Sequence, residues 1–250
     1  MINPAVDAPV LIVSGIAALM PARLNSEIEG PGCNNACDPS DVNAFDRAVI
    51  GNDSAAARTA SDVFLGAGTA LPFALDLLDV AVSSPADGTY GLVTDTLVLA
   101  ETVTVDMGIT NVVKYTVRRQ RPFTYDTGST DAERADVDSS FSFWSAHTST
   151  TFAMATAYSY LFMMRHPGSP LIAPCWILTE LMAATTGVLR VVAGKHFYTD
   201  VIAGAVSGVA IGYFVPLVHT RGAGKFSTSV SWRLVPQAAD GGAMLSLVIL

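Results

Sequence analysis

Long apolar segments, separated by polar ones, dominate the chain as far as residue 218 and show the spacing of helices. Asp95, Glu101 and Asp106 interrupt one of these segments, and we expect them to face protein, where Arg118 or Arg119 pairs with them. The candidate helices are residues 10–20, 61–82, 90–120, 148–164, 171–192 and 201–218. The pattern therefore predicts an all-α bundle of about six helices.

The pattern changes near the end of the chain. Apolar and polar residues alternate in 226–235, turn-forming residues follow at 240–242, and 244–250 is apolar again, which is typical of a short β-hairpin. We divide the chain into a helical domain of residues 1–225, which contains an outer loop of 25–60 and an active-site loop region of 114–147, and a hairpin extension of 226–250.

The composition favours a membrane protein. Half of the residues are apolar and only 14% are charged, and the mean hydropathy is +0.42. Residues 201–218 contain no charge at all. These values predict helices that cross a membrane. A soluble all-helical protein with a very large core is the alternative.

Glycines recur at every fourth position in the last predicted helix, as Gly204, Gly208 and Gly212. On a helix this spacing forms a groove of small residues along one face. We expect a neighbouring helix to pack tightly there, with no chemical role for the glycines.

The net charge of -8 excludes broad binding to nucleic acid, which requires a basic surface. The few basic residues are nevertheless unevenly distributed. Five of them fall within one short segment: Lys114, Arg118, Arg119, Arg121 and Arg134. Such a cluster in an acidic chain indicates a local anion site.

Two of the three cysteines, Cys33 and Cys37, lie close together in a polar stretch that contains Pro and Gly. They are a candidate disulfide in an oxidising compartment. Two free thiols or half of a metal site are the alternatives, although no His or further Cys nearby completes a zinc set. Cys175 lies alone in an apolar segment and is interpreted as a small core residue.

Lys114 and Arg121 form the first of three chemically suggestive elements. They are seven residues apart, which on a helix returns to nearly the same direction, and Arg118 falls between them. Three cations would then share one face at a helix end. A solvated surface is the usual explanation of such a stripe, and a phosphate site is the functional one.

The second element is His147, which follows Ser145 and Ala146 where a polar loop gives way to an apolar helix. Backbone N–H groups at a helix start point outward without partners and can bind an anion. The Ser145 hydroxyl can donate to the same oxygens. Ordinary capping by Ser145 or Thr148 is the alternative.

The third element consists of Arg190, His196 and Asp200. His196 and Asp200 are four residues apart, so one helical turn can bring the carboxylate to the imidazole. A carboxylate on one ring nitrogen makes the other a better nucleophile or base. A purely structural hydrogen bond is the alternative.

Together the three elements resemble the signature of the type 2 phosphatidic acid phosphatase (PAP2) superfamily, which also includes bacterial class A acid phosphatases and vanadium haloperoxidases. That signature reads Lys, six residues, Arg-Pro; then Pro-Ser-Gly-His; then Ser-Arg, five residues, His, three residues, Asp. The first element is matched in full and the third in spacing. Trp144 and Ala146 replace the family's Pro and Gly, and Leu189 replaces its Ser.

The resemblance implies a metal-independent phosphatase that uses no cofactor. His196 would attack phosphorus to form a phosphohistidine, Asp200 would orient it, and His147 would protonate the leaving oxygen. The phosphate would be held by a larger set: Lys114, Arg121, Ser145, the Ala146 amide and Arg190.

We expect the substrate to be a lipid phosphomonoester or diphosphate in a bacterial-type inner membrane, with the site facing the periplasm or the outside. The alternatives are a soluble periplasmic acid phosphatase of broad specificity, a vanadate-dependent haloperoxidase and a non-catalytic family remnant. The substitutions at Ala146 and Leu189 make the remnant conceivable. The sequence predicts no particular oligomeric state.

Overall fold

The computed structural model describes residues 2–24, 36–83, 88–221, 232–239 and 242–249. The helices are α1 (Pro4–Ala18), α2 (Met20–Leu24), α3 (Ala44–Arg47), α4 (Ala55–Ser83), α5 (Gly88–Val117), α6 (Asp131–Ala135), α7 (Ala146–Arg165), α8 (Ile172–Val192) and α9 (Tyr198–Arg221). Short 3-10 turns occupy Pro39–Asp41, Pro122–Tyr125 and Val137–Ser140. The six long helices confirm the predicted all-α bundle.

Helix α7 forms the centre of the bundle and contacts α4, α5, α8 and α9. Small and hydroxyl-bearing residues make up much of it, so its neighbours can approach closely. A Cβ atom at Gly208 of α9 would lie 2.2 Å from the Ser149 carbonyl oxygen, and one at Gly212 would lie 2.3 Å from that of Ala153. The predicted glycine groove is thereby confirmed, and α7 fills it.

Within the described residues, four helical segments are long and apolar enough to cross a membrane: Ala55–Ser83, Gly88–Tyr125 (α5 with the turn that follows it), Ile172–Val192 and Tyr198–Thr220. Their outer faces expose large apolar side chains, among them Leu77, Leu178 and Val206. Helix α1 is shorter, and α7 is enclosed by its neighbours. The six predicted helices thus comprise four candidate spans, a short helix and a central helix.

The acidic residues of α5 do face the protein, but the partners predicted for them are wrong. Asp95 lies 2.5 Å from Arg165 Nη2, and Glu101 Oε2 lies 3.1 Å from His219 Nε2. Asp106 accepts hydrogen bonds from the hydroxyls of Ser149 and Thr150. Arg118 and Arg119 lie beyond the end of α5, too far along the helix to reach these acids.

The chain ends in two strands, β1 (Trp232–Ala239) and β2 (Gly242–Ile249). They pair antiparallel, with Trp232 opposite Ile249 and Ala239 opposite Gly242. The other predicted local feature, a disulfide between Cys33 and Cys37, involves Cys33, which lies outside the described residues.

Candidate active site

Lys114 and Arg121 both belong to the site, but Lys114 lies on helix α5 and Arg121 lies in the loop that follows it. Helix α5 ends at Val117, three residues before the predicted end, because Arg118 adopts a left-handed conformation with φ of 48°. Arg118 itself is exposed, and its Nε donates to the Tyr115 carbonyl. The predicted stripe of three cations on one helical face is therefore wrong. Lys114 projects from the helix, and Arg121 returns from the following loop.

Both cations are almost completely buried. Lys114 is 8% exposed and donates from Nζ to the Phe141 carbonyl at 2.5 Å. Arg121 is 4% exposed, and its Nη1 lies 3.1 Å from His196 Nε2. Its Nη2 donates to Asp138 Oδ1 at 2.8 Å. That carboxylate is 63% exposed on its side chain and forms an ion pair with Arg121, so it offsets only part of the positive charge beside His196.

The hydrogen bonds of His196 fix its tautomer. Its Nδ1 lies 2.8 Å from the Ser142 carbonyl oxygen, which can only accept, so Nδ1 carries the proton. The lone pair on Nε2 therefore faces Arg121. Burial, and then the positive charges of Arg121, Lys114 and Arg190, lower the pKa of His196 well below its ordinary value. The imidazole is neutral at physiological pH, as a nucleophile must be.

Asp200 does not hydrogen-bond to His196, contrary to the sequence-based expectation. Its Oδ2 lies 3.8 Å from His196 Nδ1 and instead accepts from the Ser142 hydroxyl at 2.5 Å. Ser142 thus links the two residues. Its carbonyl oxygen accepts from His196 Nδ1, and its hydroxyl donates to Asp200 Oδ2. Arg119 Nη1 donates to Asp200 Oδ1 at 2.5 Å, and its Nη2 binds Asp46 at 2.8 Å. Asp200 is in this way held in a buried network that supports His196 indirectly.

His147 is the second residue of α7 and pairs with a carboxylate from α4. Its Nε2 lies 2.8 Å from Asp62 Oδ1, which is also 3.6 Å from Arg190 Nη1. Burial, followed by the charge of Arg190, lowers the pKa of His147 to about 4, and Asp62 opposes that shift. The side chain remains 21% exposed, whereas that of His196 is 1% exposed. His147 is thus the more exposed of the two histidines.

Ser145 caps α7, as the simpler interpretation of the sequence predicted. Its Oγ accepts from the Thr148 N–H at 3.4 Å and from the Thr148 hydroxyl at 3.0 Å. In the described part of the chain Ser145 Oγ acts only as an acceptor, so its hydroxyl proton can be donated to an anion. Ala146 is the first residue of α7, where backbone N–H groups have no acceptor within the helix. Capping and anion binding are compatible here.

Arg190 lies in the last turn of α8 and is 6% exposed. Its Nη1 donates to Ser61 Oγ at 3.2 Å. Its Nε is buried, and no hydrogen-bond partner for it is found in the described part of the chain. An unpartnered buried N–H on a cation is costly and requires a physical reason. An anion that binds between Arg190 and Arg121 would supply its partner.

The structure brings all eight predicted site residues to one end of the bundle, with Lys114, Arg121, Arg190 and His147 all acting electrostatically on His196. Two members of the basic cluster lie elsewhere: Arg118 is exposed, and Arg134 binds the carbonyl oxygens of Asp126 and Ser129. Sequence reasoning missed five residues of the site: Asp46, Asp62, Arg119, Asp138 and Ser142. Only Arg119 carried a signal, as a member of the basic cluster.

Comparison with known proteins identifies the family. The model of the PAP2 superfamily matches residues 95–222, just over half of the chain and the segment that contains every motif described above. This chain belongs to the PAP2 superfamily. The predicted resemblance is confirmed.

Two curated relatives of this PAP2 chain match part of it. A PA-phosphatase related-family protein of Dictyostelium discoideum is 29% identical over 123 residues, which are 47% of this chain and 45% of that protein. The lipid A 1-phosphatase of Porphyromonas gingivalis is 30% identical over 107 residues, 42% of this chain and 19% of that protein. The chain thus matches less than half of the length of either relative.

A crystal structure of a transmembrane PAP2-type phosphatidylglycerolphosphate phosphatase from Bacillus subtilis is also similar to this chain. The alignment covers 86% of this chain and 96% of that one, with 18% sequence identity and a TM-score of 0.48.

Proposed function

We propose that this PAP2 protein hydrolyses a lipid phosphomonoester or diphosphate through a phosphohistidine on His196, without a metal ion in the pocket. The observation that carries the proposal is the arrangement of three buried cations, Lys114, Arg121 and Arg190, around one neutral imidazole. Such positive charge in a dry pocket is costly unless an anion compensates it. A phosphate group with two or three negative oxygens suits this arrangement.

In the first step the lone pair of His196 Nε2 attacks phosphorus and the bond to the leaving oxygen breaks. When a phosphoryl group enters between His196 and Arg121, Nε2 of His196 faces the phosphorus atom and Nη1 of Arg121 donates to an equatorial oxygen. The proton stays on Nδ1, hydrogen-bonded to the Ser142 carbonyl oxygen. Asp200, which accepts from the Ser142 hydroxyl, stabilises the positive charge of the phosphorylated ring through Ser142. These groups stabilise charge that develops in the transition state.

His147 supplies the proton for the leaving oxygen. In the empty pocket its pKa of about 4 keeps it neutral near pH 7, because it is buried and lies beside Arg190. A bound phosphate neutralises part of that positive charge, so the pKa rises and His147 takes up a proton as substrate binds. Neutral again after the first step, it can deprotonate the water that attacks the phosphohistidine, which releases inorganic phosphate and restores His196.

A lipid is the proposed substrate because the helices that carry the site expose large apolar side chains. The four candidate spans expose large aliphatic side chains, and the cationic pocket lies at one end of them. A headgroup phosphate can occupy the pocket while the acyl chains remain in the bilayer. The relative from Porphyromonas gingivalis, by its name, acts on a phosphorylated lipid. We place the protein in a bacterial-type inner membrane with the pocket on the outer face.

The test is phosphate release by detergent-purified protein in EDTA, with phosphatidate and para-nitrophenyl phosphate compared. We expect release from both esters, a preference for phosphatidate, and loss of activity in His196→Ala. His166→Ala is the matched control, because His166 also pairs with an aspartate, Asp79, but lies at the opposite end of α7. Inactivity of the wild type on all phosphate esters would indicate a non-catalytic remnant. Equal rates on both substrates would instead favour a broad-specificity acid phosphatase.

A further inference from the structure

A second buried histidine lies far from the phosphate pocket. His219 in the last turn of α9 faces Glu101 of α5 and Asp7 of α1. Glu101 precedes Lys114 by thirteen residues on α5, which corresponds to about 20 Å along the helix axis. The phosphatase mechanism proposed above uses none of these three residues, so their convergence needs a separate explanation.

The distances within this cluster match those of a metal site. His219 Nε2 lies 3.1 Å from Glu101 Oε2 and 3.5 Å from Asp7 Oδ1, and all three atoms lie within 4.8 Å of one another. Two ligands about 2.0–2.2 Å from a tetrahedral zinc ion are about 3.3–3.6 Å apart. A small rearrangement of the side chains would therefore complete three positions of a tetrahedron.

The remaining hydrogen bonds orient these atoms towards a common centre. His219 Nδ1 lies 2.8 Å from the Val215 carbonyl oxygen, so Nδ1 donates to that oxygen and Nε2 faces the two carboxylates. Metal-bound histidines commonly donate their other N–H to a backbone carbonyl in this way. Asp7 Oδ2 accepts from the Asn3 N–H at 2.6 Å, which leaves Oδ1 directed at His219.

Charge also favours a divalent cation. Two carboxylates meet one imidazole in a site where His219 is 5% and Glu101 is 6% exposed. Buried carboxylates are costly unless a cation compensates them. Asp7 is 13% exposed on its side chain, so an ion can enter from that side.

The geometry points to a site for one zinc-class divalent ion bound by Asp7, Glu101 and His219, with a water molecule as the fourth ligand. The ion joins α1, α5 and α9, three helices that are distant in sequence, and its role is to hold the short α1 against the bundle. Nitrogen and oxygen ligands in this ratio suit Zn²⁺ better than Mg²⁺, which prefers six oxygens. The site is independent of the proposed phosphatase chemistry.

The experiment is a zinc titration of the full chain in detergent, freed of any affinity tag and stripped with a chelator. We expect one Zn²⁺ per chain by competition with a chromophoric chelator, and a rise in the unfolding temperature as zinc is added. His219→Gln and Asp7→Asn should each lower the affinity at least about tenfold, a typical loss when a metal site is disturbed. Cobalt in place of zinc should show the visible absorption of a tetrahedral site in the wild type and lose it in His219→Gln.

His166→Gln is the matched control, because His166 Nε2 contacts Asp79 at 2.8 Å and is not part of the three-ligand group. It should bind zinc like the wild type. Wild-type protein that takes up no zinc, or His219→Gln protein that binds it equally well, would overturn the proposal. The first result would mean that protons, not a metal, balance the two carboxylates. Phosphate release at low temperature should survive zinc removal, so this test and that of the phosphatase can fail separately.

Discussion

Two arginines at opposite ends of the helical core show how a structural cation differs from one suited to binding. Arg165, at the end of α7, contacts Asp95 through Nε at 2.6 Å and Nη2 at 2.5 Å, and Asp76 lies 3.8 Å away. Arg190, at the end of α8, has a serine hydroxyl and a carboxylate 3.6 Å away that is 58% exposed. The first charge is neutralised by the protein. The second is paired less closely, as we expect of a cation that binds a ligand.

The largest effect on stability should follow removal of the neutralised cation. Arg165→Ala leaves Asp76 and Asp95 buried without their partner, and breaking a buried pair typically costs about 3–5 kcal/mol. We expect a clear fall in the unfolding temperature, measured in detergent by differential scanning fluorimetry. The activity of the folded fraction should be unchanged. A fall in kcat greater than the loss of folded protein would contradict a purely structural role of Arg165.

Removal of the second cation should have the opposite signature. Arg190→Ala should lower kcat/KM on phosphatidate about 10²–10³-fold, the usual effect of losing one donor to a developing oxyanion. The unfolding temperature should fall little, because among the described residues Arg190 pairs with an exposed carboxylate, Asp62, at 3.6 Å and with no buried one. Arg190→Lys keeps the charge but not the fork of donors and should recover only part of the rate. Strong destabilisation with normal kinetics would show that Arg190 is structural.

The two ends of the core depend on the same contact between α7 and α9. Gly208→Ala would place a methyl group 2.2 Å from the Ser149 carbonyl oxygen, and such overpacking costs about 1–3 kcal/mol. We expect stability and activity to fall together. Gly66→Ala in α4 is the matched control, because no atom lies within 4 Å of a Cβ there. Equal stability and activity of Gly208→Ala and Gly66→Ala would argue against the close packing of α7 on α9.

The smallest expected effect concerns Asp62, the exposed carboxylate beside Arg190. Asp62 raises the pKa of His147 against the lowering effects of burial and Arg190. Asp62→Asn removes that effect, so the pKa falls further and His147 loses its proton at a lower pH. The alkaline limb of kcat/KM should therefore shift to lower pH, measured on para-nitrophenyl phosphate across the acidic and neutral range. An unchanged or upward-shifted limb would exclude this role for Asp62.

The core of the site was predictable because PAP2 motifs are local in sequence. Lys114, Arg121 and Pro122 form one motif, and Arg190, His196 and Asp200 occupy another at fixed spacing. The bundle was predictable for a similar reason, since helical periodicity and long apolar segments are local properties. The roles of the site residues remain predictions, because placement in a pocket does not measure chemistry.

The supporting residues were not predictable, because they come from tertiary contacts. Asp62 is 85 residues from His147, and Ser142 is 58 residues from Asp200. The direct bond expected between His196 and Asp200 was wrong because His196 precedes α9 and its ring turns to the Ser142 carbonyl. The early end of α5 was missed because a left-handed arginine carries no sequence signal comparable to glycine.

The central claim is that His196 forms a covalent bond to phosphorus, and the stereochemistry of the reaction tests it most directly. Hydrolysis of an isotopically chiral phosphorothioate monoester in labelled water reports whether one or two in-line displacements occur. Two displacements, one by His196 and one by water, predict retention of configuration at phosphorus. Inversion would mean that water attacks the substrate directly, and the proposed role of His196 would be wrong.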